Sequence, residues 1–341
     1  MVKTVWEYSI KTEAERLLHC AHQMAVGFYR VNNFIVLPYT PKIGGAHIVT
    51  FPDLPYNKIP RFWEKIKKID IQVLPIRVNK SILEQTAKLL EKADLPAPEF
   101  ENTKNQWGKA QNEILSEIYR IIPSKKGSIK EIIIYPTSFG TSTSFNWLNA
   151  NGKIIMYLRQ DQSIASITEA IITSLTRKDI FEKLDGVWQE SEIVTDWIIT
   201  QSSLAAIVKK YDQTPFLPTI KGVRIKQQAR LIEKSDRFYQ KLGLPVNPKV
   251  FSLNGLTPEI NKKPVENLSA LEKSVLRLLI QKSNNVATFD ELGDATLKNE
   301  ENYSLYAIAK TIERLRNKLE ANGISSSCIQ TLRGQGYVLR N

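Results

Sequence analysis

Cysteine and histidine are scarce in this chain of 341 residues, with two of the former and three of the latter. Cys20 and Cys328 lie near opposite ends of the sequence, which argues against a disulfide framework and fits a reducing compartment. No histidine follows His47. No apolar run reaches the ~18 residues of a membrane span, so no transmembrane helix and no membrane partner are expected. The N-terminal stretch MVKTVWEYSIKTEAERL lacks the basic-then-apolar order of a secretory signal. The expected location is the cytoplasm. No internal repeat is visible.

What is present is a chain long enough for two or three domains, with 42% hydrophobic residues to build their cores. The net charge of +12 favours an anionic partner, nucleic acid or anionic lipid. The excess is uneven. Residues 221–250 hold eight Lys/Arg against two acids, whereas residues 268–341 hold ten against eight. In the last segment any positive potential must come from placement.

Along the chain, residues 9–30 read as partly helical. The runs 33–40 and 46–51 are strand-like, separated by Gly44 and Gly45. Helices are expected at 59–69 and 80–93, around 70-DIQVLPIRV-78, and a linker or long loop at 94–102. A second unit begins near Gly108. There Ile114, Ile118 and Ile121 share one helical face, strands fall at 130–137 and 153–159, and helices at 163–177 and 190–210. An α+β or α/β layer is the natural way to bury them. A loop at 212–220 precedes a basic amphipathic helix at 221–242, which could cover the second unit, cross a DNA backbone or meet an acidic partner. The pattern gives an α+β multidomain chain: residues 1–100, residues 108–242, and residues 249–341 after a Pro-rich polar linker.

The C-terminal segment is the most informative. Ser269 and Glu272 form one S-x-x-E capping pattern, Thr288 and Glu291 another. Leu271, Val275, Leu278 and Leu279 supply an inward stripe, and Leu292 belongs to a shorter helix. In the helix 304–320, Ile308, Ile312, Leu315 and Leu319 make a buried seam. Lys310, Glu313, Arg314 and Asn317 point away from it, with Thr311 and Lys318 on its flank. Long donors on such a face can reach base edges or phosphates. Arg314 is the first candidate for a base contact, followed by Lys310 and Thr311. Lys318 and Arg316 are placed for phosphate, or for Arg316 to brace the domain. Glu313 could accept from cytosine N4. A hairpin follows at 328–339, where Gly334 and Gly336 allow a tight turn through positive φ. Arg333 would reach the minor groove, and Tyr337 would hold the hairpin on the helices with its hydroxyl available to a phosphate.

Residues 268–341 resemble the winged-helix effector domain of OmpR/PhoB-type transcriptional regulators. The resemblance is carried by L268-S-A-L-E272, the A-T-F-D-E-L stretch ending at Leu292, I312-E-R-L-R-N-K-L319 and I329-Q-T-L-R-G-Q-G-Y-V-L339. It implies that the helix 304–320 reads the major groove of duplex DNA, that the wing 328–339 contacts the adjacent minor groove, and that a small sheet using 249-KVFSLNG-255 opens the domain. Ala309, Lys310 and Thr311 stand where the family usually has D-V-H. The family's phospho-acceptor receiver has no counterpart in residues 1–250, since no acidic cluster, receiver aspartate or later lysine matches. RNA polymerase or another protein, and a homodimer, are the further partners this implies.

Residues 108–210 bear a faint resemblance to a zincin-type metallopeptidase. An active zincin needs H-E-x-x-H, with two histidines one turn apart on zinc. Here the stretch reads T168-E-A-I-I172, so only Glu169 remains, with Glu190, Glu192 and Asp196 downstream. A degenerate, metal-free relative is the most this supports. His19 and His22 could share a metal with His47 or Cys20, but histidines beside a buried cysteine are the more ordinary reading. The loop 136–152 is rich in hydroxyls but lacks P-loop order, and Ser142 and Ser144 have no histidine nearby in sequence. The expectation is therefore a non-enzymatic DNA-binding regulator without metal or cofactor. The alternatives are a protein- or RNA-interaction module with a winged-helix core, or a metal-independent hydrolase in residues 108–210.

Overall fold

A computed structural model describes residues 2–31, 34–41, 48–71, 74–184, 186, 188–212, 225–244, 250–296, 305–321, 324, 326–332 and 334–341. The chain divides into two compact units, residues 1–22 with 35–242 and residues 23–34 with 243–341.

From the N-terminus the elements are β1 (Lys3–Trp6), α1 (Ile10–Ala25), α2 (Phe28–Val31), β2 (Ile35–Pro38), β3 (Ile48–Phe51), α3 (Phe62–Ile66), α4 (Lys80–Ala93), α5 (Glu101–Ile121), β4 (Glu131–Thr137), β5 (Thr143–Phe145), β6 (Lys153–Arg159), α6 (Ile164–Lys183), α7 (Trp188–Gln201), α8 (Ser203–Tyr211) and α9 (Ile225–Lys241). The main sheet runs β1-β4-β6-β5. The first three strands are parallel and β5 is antiparallel at the edge. The apolar runs of β4 and β6 follow from burial on both faces. Ile132, Ile134, Ile154 and Met156 join Trp107, Ile114 and Ile171 in one core, while Tyr135, Ile155 and Tyr157 cluster separately. β2 and β3 pair in parallel as a second, two-stranded sheet.

Gly108 lies inside α5, and β1 pairs with β4, so the first strand of the chain shares one sheet with the strands after 130. The single helix expected at 190–210 is two helices. Ser202 interrupts it and caps α8 by accepting the Leu204 N–H at 3.1 Å.

The hydroxyl-rich loop 136–152 is filled from within. Arg16 is fully buried and donates to Phe139 O at 3.1 Å, Ser144 Oγ at 2.7 Å and Thr141 O at 3.2 Å. Gly140 is required there: its φ is 91°, and a Cβ would stand 2.2 Å from Arg16 Nη2. Ser144 thus faces a guanidinium, which cannot serve as a general base.

The C-terminal unit contains β7 (Phe251–Asn254), β8 (Thr257–Ile260), β9 (Lys263–Pro264), α10 (Ala270–Gln281), β10 (Val286–Thr288), α11 (Phe289–Thr296), α12 (Leu305–Ala321), β11 (Ile329–Leu332) and β12 (Gly336–Leu339). β7, β8 and β9 form an antiparallel sheet, as 249–255 suggested; the second sheet runs β10-β12-β11. Asn341 ties the chain end to β7, accepting the Phe251 N–H and donating to Phe251 O, both at 2.8 Å. The buried stripe of α10 is Val275, Leu276, Leu279 and Ile280. Leu271 and Leu278, expected inside, are only half-buried. Among the described residues no helix is long and apolar enough to cross a membrane.

Candidate nucleic-acid interface

Both capping patterns form. The Ser269 hydroxyl accepts the Glu272 N–H at 3.3 Å, and the Glu272 carboxylate accepts the Ser269 N–H at 2.7 Å. Thr288 and Glu291 repeat the exchange at α11. These caps satisfy donors that a helix start otherwise leaves open and fix the frame on which α12 rests.

Ile308, Ile312, Leu315 and Leu319 of α12 are all buried, at 1% exposure or less. The opposite face is open: Glu313, Arg314 and Asn317 are exposed and Lys310 is half-exposed. Lys310 donates to Glu313 at 2.8 Å, and this carboxylate raises the Lys310 pKa. Arg314 forms no ion pair among the described residues.

Other expected contacts lie elsewhere. Thr311 is a correction: it is 2% exposed, because it stands three residues after Ile308 and four before Leu315, on the seam itself. Its hydroxyl donates to Ala307 O at 2.9 Å. Lys318 turns inward, donating to Asn267 O and to the Glu272 carboxylate, both at 2.6 Å. Burial pushes the Glu272 carboxyl up, but Lys318 and the Ser269 hydrogen bonds outweigh it and hold it below its usual value. Arg316 is a brace, donating to Ile329 O at 2.6 Å and to Thr331 Oγ1 at 3.0 Å.

Tyr337 is 6% exposed. It packs edge-on against Phe289, with the Arg316 guanidinium 5.9 Å from its ring, so it holds the hairpin to the helices as expected. Gly334 and Gly336 have φ of 72° and 146°, and a Cβ on Gly336 would come within 2.0 Å of Ala287 O. Arg333 lies outside the described residues.

Sequence reasoning missed Tyr306. It is 71% exposed at the start of α12, with the Lys310 ammonium 5.9 Å from its ring. Its spacing of four residues from Lys310, away from the Ile308 seam, was the available signal.

The other candidate sites are built differently. His19 is buried with its Nδ1 3.2 Å from Arg16; burial first, then Arg16 and His22, drives its pKa well down. His22 Nδ1 donates to Ile66 O at 2.9 Å. His47 lies outside the described residues. Thr168 and Ile172, at the zincin ligand positions, are buried in α6, and the Thr168 hydroxyl donates to Ile164 O at 2.8 Å. Glu192 is buried and ion-paired with Arg177. Among the described residues no group of three or more His, Cys, Asp or Glu could hold a metal ion.

Residues 263–339 match the family described as "Transcriptional regulatory protein, C terminal". The two-component response regulator PhoP of Pseudomonas aeruginosa is 29% identical over 143 residues, 42% of this chain and 61% of PhoP. The chain thus spans about three fifths of that curated relative. The DNA-binding domain of response regulator AdeR, solved in complex with an intercistronic region, is 27% identical; the match covers 27% of this chain and 96% of that one, with a TM-score of 0.24. A structure described as belonging to "a novel family of redox sensors in the streptococci evolved from two-component response regulators" is 16% identical, covering 72% of this chain and 97% of that one, also with a TM-score of 0.24. The C-terminal domain is a winged helix of the OmpR/PhoB DNA-binding type.

Proposed function

We propose that this protein binds duplex DNA sequence-specifically as a transcriptional regulator, with α12 in the major groove and the β11–β12 wing on the adjacent minor groove. The observation that carries this reading is the separation of faces on α12. The apolar seam is buried, while Lys310, Glu313, Arg314 and Asn317 stand outside it, on a domain of a DNA-binding family. Arg314 is suited to bidentate contact with guanine, and Asn317 to adenine. Lys310 can exchange Glu313 for a phosphate. Tyr306 joins the same face and can reach the backbone. Arg333 extends the reading to the minor groove. Thr311 and Tyr337, both buried, act through packing, and Lys318 through its bond to Glu272. We assign the N-terminal unit a sensing or assembly role without catalysis, in the cytoplasm, with RNA polymerase or a second copy as the protein partner.

Selection of bound genomic fragments, followed by fluorescence anisotropy on the selected site, tests this. Replacing Arg314 and Lys310 together by Ala should weaken specific binding by about 10- to 100-fold, the range for losing a base contact and a phosphate contact. The fold is expected to survive, since both side chains are solvent-facing. No enrichment of any fragment, or unchanged affinity in the double variant, would refute the assignment. Preferential binding of single-stranded RNA would move it to another class.

A further inference from the structure

In the N-terminal unit, α9 lies along β2, and a groove of about 670 Å3 opens beside them. Leu37 and Ile48 from the small sheet and Leu231 and Phe238 from α9 give it an apolar lining. Lys234, Arg237 and Lys241 stand along the same stretch of α9, and Asp53 is the acid that joins them in the lining. Positions 231, 234, 238 and 241 recur every three or four residues, so apolar and cationic side chains share one helical face.

The rim is charged beyond its internal pairing. Lys241 is ion-paired with Asp53, and Arg237 with Glu233 one turn earlier. Lys234 forms no ion pair among the described residues. Lys234 is exposed, so its stem can lie along the apolar wall while its ammonium stays open to an anionic head group. The volume is within the range of small-molecule sites, where an apolar wall gives affinity and a few charged groups fix orientation.

We infer that this groove binds a small amphipathic anion, an aliphatic chain on the Leu37, Ile48, Leu231 and Phe238 surface with a carboxylate or phosphate head at Lys234 and Arg237. The head satisfies Lys234 and competes with Glu233 for Arg237. The site is independent of how α12 meets DNA, because it is built from side chains of the other unit.

Isothermal titration calorimetry on the full chain at low salt tests it, with decanoate, decyl phosphate and decanol as probes. Decanoate should bind saturably with one site per chain, and at least about tenfold more tightly than decanol, a difference of one charge–charge contact. The decyl phosphate arm reports which head the site prefers; tighter binding of either anion over decanol supports the inference. Lys234→Gln with Arg237→Gln, both exposed positions, should weaken decanoate about tenfold and leave decanol unchanged. Methyl NMR shifts at Leu37, Ile48 and Leu231 should saturate with the calorimetric isotherm. Absence of saturable binding, equal affinity for decanol, decanoate affinity unchanged in the double variant, or shifts confined to other methyls would each overturn the site.

Discussion

Replacing Lys318 by Met removes the ammonium that joins the far end of α12 to the start of α10. The Glu272 side chain is 3% exposed, and that of Lys318 33%. Stripping the partner from a fully buried pair costs about 3–5 kcal/mol, because a desolvated charge is left behind. Two features reduce the cost here. A third of Lys318 is already in water, and Glu272 keeps the Ser269 N–H at 2.7 Å. The expected loss is about 1–3 kcal/mol. Midway in that range, amide protection in α10 and α12 falls about thirtyfold, read by native-state hydrogen exchange on the full chain. The sign of the pH dependence follows from a Glu272 pKa held below its ordinary value. Its stabilisation is present above the unfolded carboxylate pKa and is lost as pH falls through the folded one. The Lys318→Met penalty should therefore shrink in acid. It should also nearly vanish in a chain that already carries Glu272→Gln. Protection within about twofold of wild type at neutral pH, or an equal penalty with and without the Glu272→Gln change, would refute the strut.

Gly336→Ala should cost at least about 3 kcal/mol, combining strain at a φ of 146° with a Cβ 2.0 Å from Ala287 O; Gly334→Ala, with open space around its Cβ, should cost about 1–2 kcal/mol, both read by thermal unfolding. Ile312→Ala should cost about 2–5 kcal/mol in the same assay, since the side chain is fully buried. Burial pushes Glu13 up to about 7, against the Ser138 N–H, Thr137 and Arg16. Because the folded value is raised, wild type should lose up to about 3 kcal/mol as pH rises from the ordinary carboxylate pKa through about 7. Glu13→Gln should abolish that slope in urea titrations at several pH values.

The α12 seam was legible because Ile308, Ile312, Leu315 and Leu319 repeat every three or four residues, and the wing because two glycines interrupt a β-pattern. Both signals are local. The same periodicity misplaced Thr311, since a polar residue on the seam reads as flank until its hydroxyl is seen to donate to Ala307 O. Spacing also assigns a long side chain to a face without saying where its tip goes. Lys318 and Arg316 look like phosphate contacts by position, yet reach Glu272 and Ile329 O. The N-terminal unit was less legible because its decisive contacts are remote in sequence. β1 pairs with β4 across more than a hundred residues, and the Arg16 guanidinium completes a loop that, read alone, looks like a ligand site.

The placement of charge on α12 limits what this helix can contribute to affinity. Arg316 and Lys318 are committed within the domain, and Lys310 is paired with Glu313. A helix that meets phosphate through Lys310, with Arg314 on a base edge, releases few counterions, and each neutralised phosphate adds only about −0.9 to the slope of log K against log salt. A steep measured slope would then have to arise outside α12, from the wing, from the basic stretch 221–250, or from a second copy on an adjacent half-site. A shallow slope with strong sequence preference would place the discrimination in Arg314 and Asn317, because base contacts specify where phosphate contacts only position. Total charge cannot separate these cases, since the +12 of the chain is a property of both units and the exposed face of α12 carries little of it.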